Sequence, residues 1–141
     1  MEKAPNHIKM LIVEDNSEFS KSIELLLSRY CQKLDLVSDV DIAKNGIQAI
    51  NFCKNNIYDI IFTDVQMPKM DGIEMIRKIK KLTKNQVIVI ISAYDFSDLV
   101  QESYDLKVSY YLRKPFDRDS LFNIIKNYQI DNIDNFCELS K

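Results

Sequence analysis

Residues 58–72 read YDIIFTDVQMPKMDG. An apolar run stops abruptly at Asp64, and a loop carrying Pro68 and Gly72 follows before helical spacing resumes at Ile73. A short apolar run bounded by turn residues suits a strand covered on both faces. The stretch therefore predicts a buried strand that delivers one carboxylate to the rim of the fold.

Upstream, the run 9–13 (KMLIV) predicts a first strand that stops at Glu14, Asp15 and Asn16. After a cap at Asn16 or Ser17, the residues Phe19, Ile23, Leu26, Leu27 and Tyr30 fall on one helical face. Residues 37–43 mix Val37, Val40 and Ile42 with aspartates and read as an edge strand, ending at the turn signal Asn45-Gly46. Ile47, Ile50 and Cys53 give a short second helix, and 57–63 is the third strand.

Downstream, Ile73, Ile76, Ile79 and Leu82 mark a third helix whose other face, with Arg77, Lys78, Lys80 and Lys81, reads as solvated. The run 87–91 (VIVII) is the most hydrophobic and the natural central strand, closing at Ser92-Ala93. Phe96, Leu99, Val100 and Tyr104 predict a fourth helix, and 108–112 a fifth strand broken at Lys114-Pro115. Asp117 then caps a last helix with Leu121, Ile124, Ile125 and Tyr128 inward.

Five strands thus alternate with five helices, with no hairpin signal between runs. Alternation implies right-handed crossovers and a parallel sheet covered on both faces. The expected fold is α/β, a doubly wound five-stranded parallel sheet of order 2-1-3-4-5 with flavodoxin-like topology. In that order a crevice opens beyond the carboxyl ends of strands 1 and 3.

Composition sets the outer bounds. A chain of 141 residues is the length of one domain. The expected division is an N-terminal arm (1–8), one domain (9–128) and a tail or linker (129–141). A formal charge of −2 gives no broad basic surface, so no direct nucleic-acid partner is expected. No apolar run approaches the roughly 20 residues of a membrane span, and the start MEKAPNHIKM lacks a signal-peptide pattern, which points to a cytoplasmic domain without membrane contact. Cys31, Cys53 and Cys137 are scattered and odd in number, which favours reduced thiols, the first two on helix faces. His7 reads as part of an exposed arm.

Glu14 and Asp15 would lie beside Asp64 in the crevice, and three close carboxylates require protons or a cation to compensate them. A hard divalent ion is the natural partner. Mg²⁺, with Mn²⁺ as the alternative, takes one or two carboxylates and keeps waters and a phosphate oxygen. Ser92 ends strand 4 and Lys114 ends strand 5, adding a hydroxyl and an ammonium that would suit a phosphoryl group carried on Asp64. Singly, each residue has an ordinary reading, as a helix-start charge, a turn hydroxyl or a surface lysine. It is their convergence that points to chemistry.

The segments VEDN (13–16), DVQMPKMDG (64–72), SA (92–93) and YLRKPF (111–116) resemble, in order and spacing, the receiver domain of two-component response regulators. The likeness covers about 9–128. It implies that Asp64 is the phosphoacceptor for a histidine kinase or histidine phosphotransfer protein. Asp15 is then the direct Mg²⁺ ligand, Glu14 an acid acting through water, and Gln66 the donor of a backbone carbonyl to the metal. Ser92 becomes the switch hydroxyl, Lys114 the lysine that pairs with the phosphoryl group ahead of a cis bond to Pro115, and Tyr111 the aromatic that turns inward. Signalling would follow from a population shift in the face formed by the fourth helix, the fifth strand and the last helix, acting on a downstream protein or attached domain. The chain would be a switch and not an enzyme, with at most self-phosphorylation from small phosphodonors and self-dephosphorylation.

Some positions depart from the common pattern. Glu14 replaces the more frequent aspartate, Lys107 stands where glycine usually precedes strand 5, and Gln66 and Tyr94 occupy positions that tune phosphoryl lifetime. Tyr111 also has a plain reading as a half-buried edge aromatic, while Met67 and Phe116 read as packing residues. Two other classes compete. A haloacid-dehalogenase-type Mg²⁺ phosphohydrolase needs a second aspartate where Gln66 stands, and a substrate cap. An FMN carrier needs a phosphate-cradling loop where Glu14 and Asp15 would repel the ligand. In the tail, Ile130, Ile133, Phe136 and Leu139 permit a longer last helix or a docking turn, although a frayed tail is the expectation. VEDN and DVQMPKMDG look most like receivers of hybrid sensor histidine kinases, which leaves a stand-alone regulator and a receiver of a larger protein both open.

Overall fold

The computed structural model describes residues 6–65, 71–93 and 106–139. The predicted fourth helix, with Gln66, Met67, Pro68 and Tyr94, lies outside these residues. Among the described residues the strands are β1 (His7–Val13), β2 (Val37–Ala43), β3 (Ile60–Thr63), β4 (Val87–Ser92) and β5 (Tyr110–Arg113). The helices are α1 (Ser17–Lys33), α2 (Gly46–Asn55), α3 (Gly72–Leu82) and α4 (Arg118–Leu139), the last being the fifth helix of the sequence reading. All strand pairs are parallel and the order is β2-β1-β3-β4-β5, as expected.

Side chains alternate across this sheet, and both faces are dry. Met10 and Ile12 of β1, Ile60 and Phe62 of β3, and Val89 and Ile91 of β4 join Ile23 and Leu27 of α1 and Leu121, Ile124 and Ile125 of α4. Their neighbours Leu11, Val13, Ile61, Ile88 and Ile90 pack instead with Met75, Ile76 and Ile79 of α3 and Ala49 of α2. Period-two alternation inside a continuous apolar run is what a sheet buried on both sides requires. Each such Ile or Leu contributes on the order of 1.5–3 kcal/mol relative to exposure.

The caps explain where helices start. Asn16 accepts from Phe19 N–H at 3.0 Å, and Asn45 accepts from Gln48 N–H at 2.9 Å while Gln48 reaches back to Lys44 N–H at 2.8 Å. Asp71 accepts from Ile73 N–H at 2.9 Å. Asp117 accepts from Asp119 N–H at 3.2 Å, in its expected place.

Several boundaries differ from the sequence reading. His7 is no exposed arm. It opens β1 opposite Val37 and is half-buried, because Asn6 O already accepts Val37 N–H at 2.7 Å and extends the ladder. The third strand begins at Ile60 and not at 57, with Ile57 83% exposed, since an apolar residue outside the ladder has nothing to cover it. Lys80 is half-buried rather than solvated: its ammonium donates to Gln86 O at 2.8 Å and Lys107 O at 3.4 Å, and burial lowers its pKa. α4 continues to Leu139 in place of a frayed tail, and Gln129 Nε2 ties it to Leu34 O at 3.2 Å. Cys31 is buried and Cys53 half-buried on helix faces, where burial pushes both thiols up to about 11. No helix among the described residues is long and apolar enough to cross a membrane.

Candidate functional site

Register brings the site together. Val13 and Thr63 are partners in the β1–β3 ladder, and Asp64 N–H donates to Val13 O at 3.1 Å, so the chain leaves both strands at one level. Glu14 N–H is likewise tied to Ala43 O at 3.0 Å. On the other flank Ser92 pairs with Arg113, and Lys114 N–H donates to Ser92 O at 2.8 Å. Four strand ends thus place Glu14, Asp64, Ser92 and Lys114 along one edge.

The side chains converge as well. Lys114 Nζ lies 2.8 Å from Glu14 Oε1 and 3.1 Å from Asp64 Oδ2. Glu14 is 3% exposed and Asp64 8%, so the pair sits in a poorly hydrated pocket where charge interactions are strong. Asp15 is exposed and lies next to Glu14 in the turn that leaves β1. Ser92 is fully buried at the end of β4. Tyr111 is half-buried against the α2/α3 side of the core, opposite Ile90. The Lys114–Pro115 bond is cis, as expected.

Titration behaviour follows from this arrangement. Burial pushes the Glu14 carboxyl above its ordinary value. The Lys114 hydrogen bond pulls it back only in part, while Asp15 and Asp64 add to the rise. Burial also opposes the charge on Lys114, but its bonds to Glu14 and Asp64 outweigh that and hold its pKa above normal.

Glu14 and Asp64 face one ammonium, and Asp15 follows Glu14 in the chain, so formal negative charge is in excess here. An oxygen-only donor set with that surplus fits a hard divalent cation. Among the described residues no three His, Cys, Asp or Glu side chains close around one point, and Mg²⁺ needs no such cage because it is held by one or two carboxylates. Gln66, expected to lend a carbonyl, lies outside the described residues.

Gly72 has a tighter constraint than the bend expected of it. A Cβ there would come 2.4 Å from Val65 Cα, and Gly72 N–H donates to Val65 O at 3.3 Å. The start of α3 thus rests on the backbone next to Asp64, an approach that only glycine permits.

Sequence reasoning missed two contacts. Glu14, expected to act on the metal through water, also pairs directly with Lys114 at 2.8 Å. Phe19 was expected only as a core residue, but Lys114 Nζ lies 4.0 Å from its ring centroid. The available signal was an aromatic in the first turn of the helix that leaves Glu14 and Asp15.

A family profile described as the response regulator receiver domain matches residues 10–126. The chain is 32% identical over 120 residues to sporulation initiation phosphotransferase F of Bacillus subtilis (strain 168), covering 85% of this chain and 92% of that protein. It is 34% identical over 122 residues to the probable transcriptional regulator ycf29 of Pyropia yezoensis, covering 84% of this chain and 52% of that protein, so it spans about half of that relative. In fold it is similar to a response regulator receiver domain protein from Methanospirillum hungatei JF-1, with a TM-score of 0.79 and 20% identity, covering 91% of this chain and 98% of that one.

Proposed function

The chain belongs to the response regulator receiver family of two-component signalling, and on that premise we propose that it is a phosphoryl-accepting switch with Asp64 as the acceptor. One Asp64 carboxylate oxygen attacks the phosphorus of a phosphohistidine on a histidine kinase or histidine phosphotransfer protein. A P–O bond forms, the P–N bond breaks, and the departing imidazole takes a proton. The observation that carries this reading is the buried Asp64 carboxylate at the end of β3, with the Lys114 ammonium 3.1 Å away.

Lys114 would pass from the carboxylate to the phosphoryl oxygens without leaving its place. Glu14 anchors it at 2.8 Å from the other side, so little reorganisation is needed when charge builds up. Mg²⁺, or Mn²⁺ in its stead, would be held by Glu14, Asp15, Asp64 and the Gln66 carbonyl, and would supply charge neutralisation for the phosphoryl oxygens. Ser92 offers its hydroxyl from the end of β4, and Tyr111 follows it inward. This shifts the face to which β5 and α4 contribute, together with the expected fourth helix, which lies outside the described residues. Control passes to a downstream protein or an attached domain. The setting is the cytoplasm, with no direct role for nucleic acid or membrane.

Similarity to a sporulation initiation phosphotransferase supports a place in a relay of phosphoryl groups between proteins. The domain is not an enzyme acting on a separate substrate. Incubation with acetyl phosphate and Mg²⁺ is expected to add one phosphoryl mass per chain. Steady multiple turnover of a separate phosphorylated metabolite would favour a hydrolase instead.

A further inference from the structure

The Lys114 ammonium has a third neighbour besides its two carboxylates. Phe19, in the first turn of α1, presents its ring to Nζ with the centroid 4.0 Å away. Glu14 Oε1 at 2.8 Å and Asp64 Oδ2 at 3.1 Å complete the surround. The ring is itself braced. Phe116 meets it edge-on, with centroids 6.4 Å apart and planes at 86°. Phe116 follows Lys114 by two residues, so one short segment engages the ring with both a cation and an aromatic edge.

A cation at this distance over an aromatic face is attracted by the negative centre of the ring, more strongly where water is scarce. The lysine needs such a hold, because its side chain remains 25% exposed and its flexible stem could swing the ammonium towards solvent. A leucine or methionine would fill the space between α1 and the β5–α4 connection without attracting a charge.

We propose that Phe19 is a positioning residue for Lys114: its ring holds the ammonium within reach of Asp64, where it meets the incoming phosphoryl oxygens. Phe19 has no group that takes part in phosphoryl transfer and acts through Lys114. This inference rests on Asp64 being the phosphoacceptor. Its distinctive content is electronic, because a packing role depends on the size of the ring whereas a positioning role depends on its electron density.

The test uses the full chain carrying, at position 19, phenylalanine, tyrosine, leucine or phenylalanines of increasing ring fluorination, which drain the ring's negative centre at nearly constant size. Two quantities are read: the initial rate of phosphoryl addition from acetyl phosphate with Mg²⁺, and, without metal, the ring-current displacement of the Lys114 ε-protons. The rate should fall stepwise along the fluorinated series, reaching roughly fivefold at the most fluorinated ring and in Phe19→Leu, as expected for a partly shielded cation–π contact. Phe19→Tyr should stay within about twofold, since tyrosine retains the attraction. The ε-protons should be displaced in the wild type and not in Phe19→Leu. A wild type that labels at Asp64 with a rate flat across the fluorinated series overturns the role of Phe19 alone, as does the absence of any displacement. A wild type that takes no phosphoryl group on Asp64 overturns the parent reading, while the displacement still reports whether the ring and Lys114 meet.

Discussion

β3 is flanked by two aspartates, Asp59 before it and Asp64 after it, and the two ends of the sheet treat the carboxylate differently. At the amino end, Asp59 Oδ2 accepts Lys9 N–H at 2.7 Å and Oδ1 accepts the Tyr128 hydroxyl at 2.9 Å. Around it Tyr58 donates to Asp41 at 2.7 Å, and Gln86 Nε2 donates to Tyr58 O at 3.0 Å. The donors to Asp59 and Asp41 named here are neutral and fixed in the framework. At the carboxyl end Asp64 shares the Lys114 ammonium with Glu14. The same residue type is therefore a structural brace at one end and, in the function proposed above, the phosphoacceptor at the other. The difference lies in the kind of neighbour, neutral framework donors at one end and charged groups at the other.

Removing the shared cation should break this contrast most severely. Lys114→Met is expected to slow phosphoryl addition roughly a hundredfold, the usual scale for losing one preorganised charge donor, measured by intact mass against time. The complementary change, Asp59→Asn, should cost about 2 kcal/mol in denaturant unfolding, because a hydrogen bond to a charged acceptor becomes a mismatched one. Its labelling rate should stay within about twofold, as that network meets no reacting atom. If labelling collapses in Asp59→Asn while stability holds, the two ends are not separate in role.

Lys107 offers a milder test of the amino end. Its φ of 54° lies in the left-handed region, and its carbonyl accepts from Lys80 at 3.4 Å. A side chain there is strained, which explains why glycine is the usual occupant and why this sequence departs from the pattern at some cost. Lys107→Gly should stabilise the protein by about 1 kcal/mol in thermal or denaturant unfolding, with labelling unchanged.

The smallest effect concerns pH and sharpens the picture of the carboxyl end. The folded pKa of Glu14 is raised above 4.5, so the folded state binds that proton more tightly than the unfolded chain does. Its contribution to stability is fully present below 4.5 and is lost as pH rises through the folded value. Relative to wild type, Glu14→Gln should therefore gain stability as pH is raised from about 4 towards neutrality, as read from unfolding midpoints across that range. A wild-type-minus-variant difference that stays flat with pH would mean that Glu14 is fully compensated.

Much of this was legible in the chain. Continuous apolar runs such as IIFT and VIVIIS are what a sheet buried on both faces demands, and the ends of β1, β3, β4 and β5 were marked by the polar residues Glu14, Asp64, Ser92 and Lys114. Parallel topology then fixed which ends meet. The pairing of Glu14 with Lys114, 100 residues apart, was not legible, because a side-chain partner at that range is chosen by register and rotamer and leaves no periodic trace. The same holds for Tyr128 with Asp59 and for Phe19 under Lys114. His7 and Ile57 were misplaced for a related reason, since hydropathy reports burial tendency and not where ladder hydrogen bonds begin and end.

The proposal that Asp64 is the phosphoacceptor is tested most directly by labelling with acetyl phosphate and Mg²⁺, reducing the acyl phosphate with borohydride, and mapping the modified peptide. The account predicts one modified residue, Asp64, in wild type and in Asp59→Asn, and none in Asp64→Asn. Equal labelling of the Asp64→Asn protein, or modification mapped to Asp59, would contradict it.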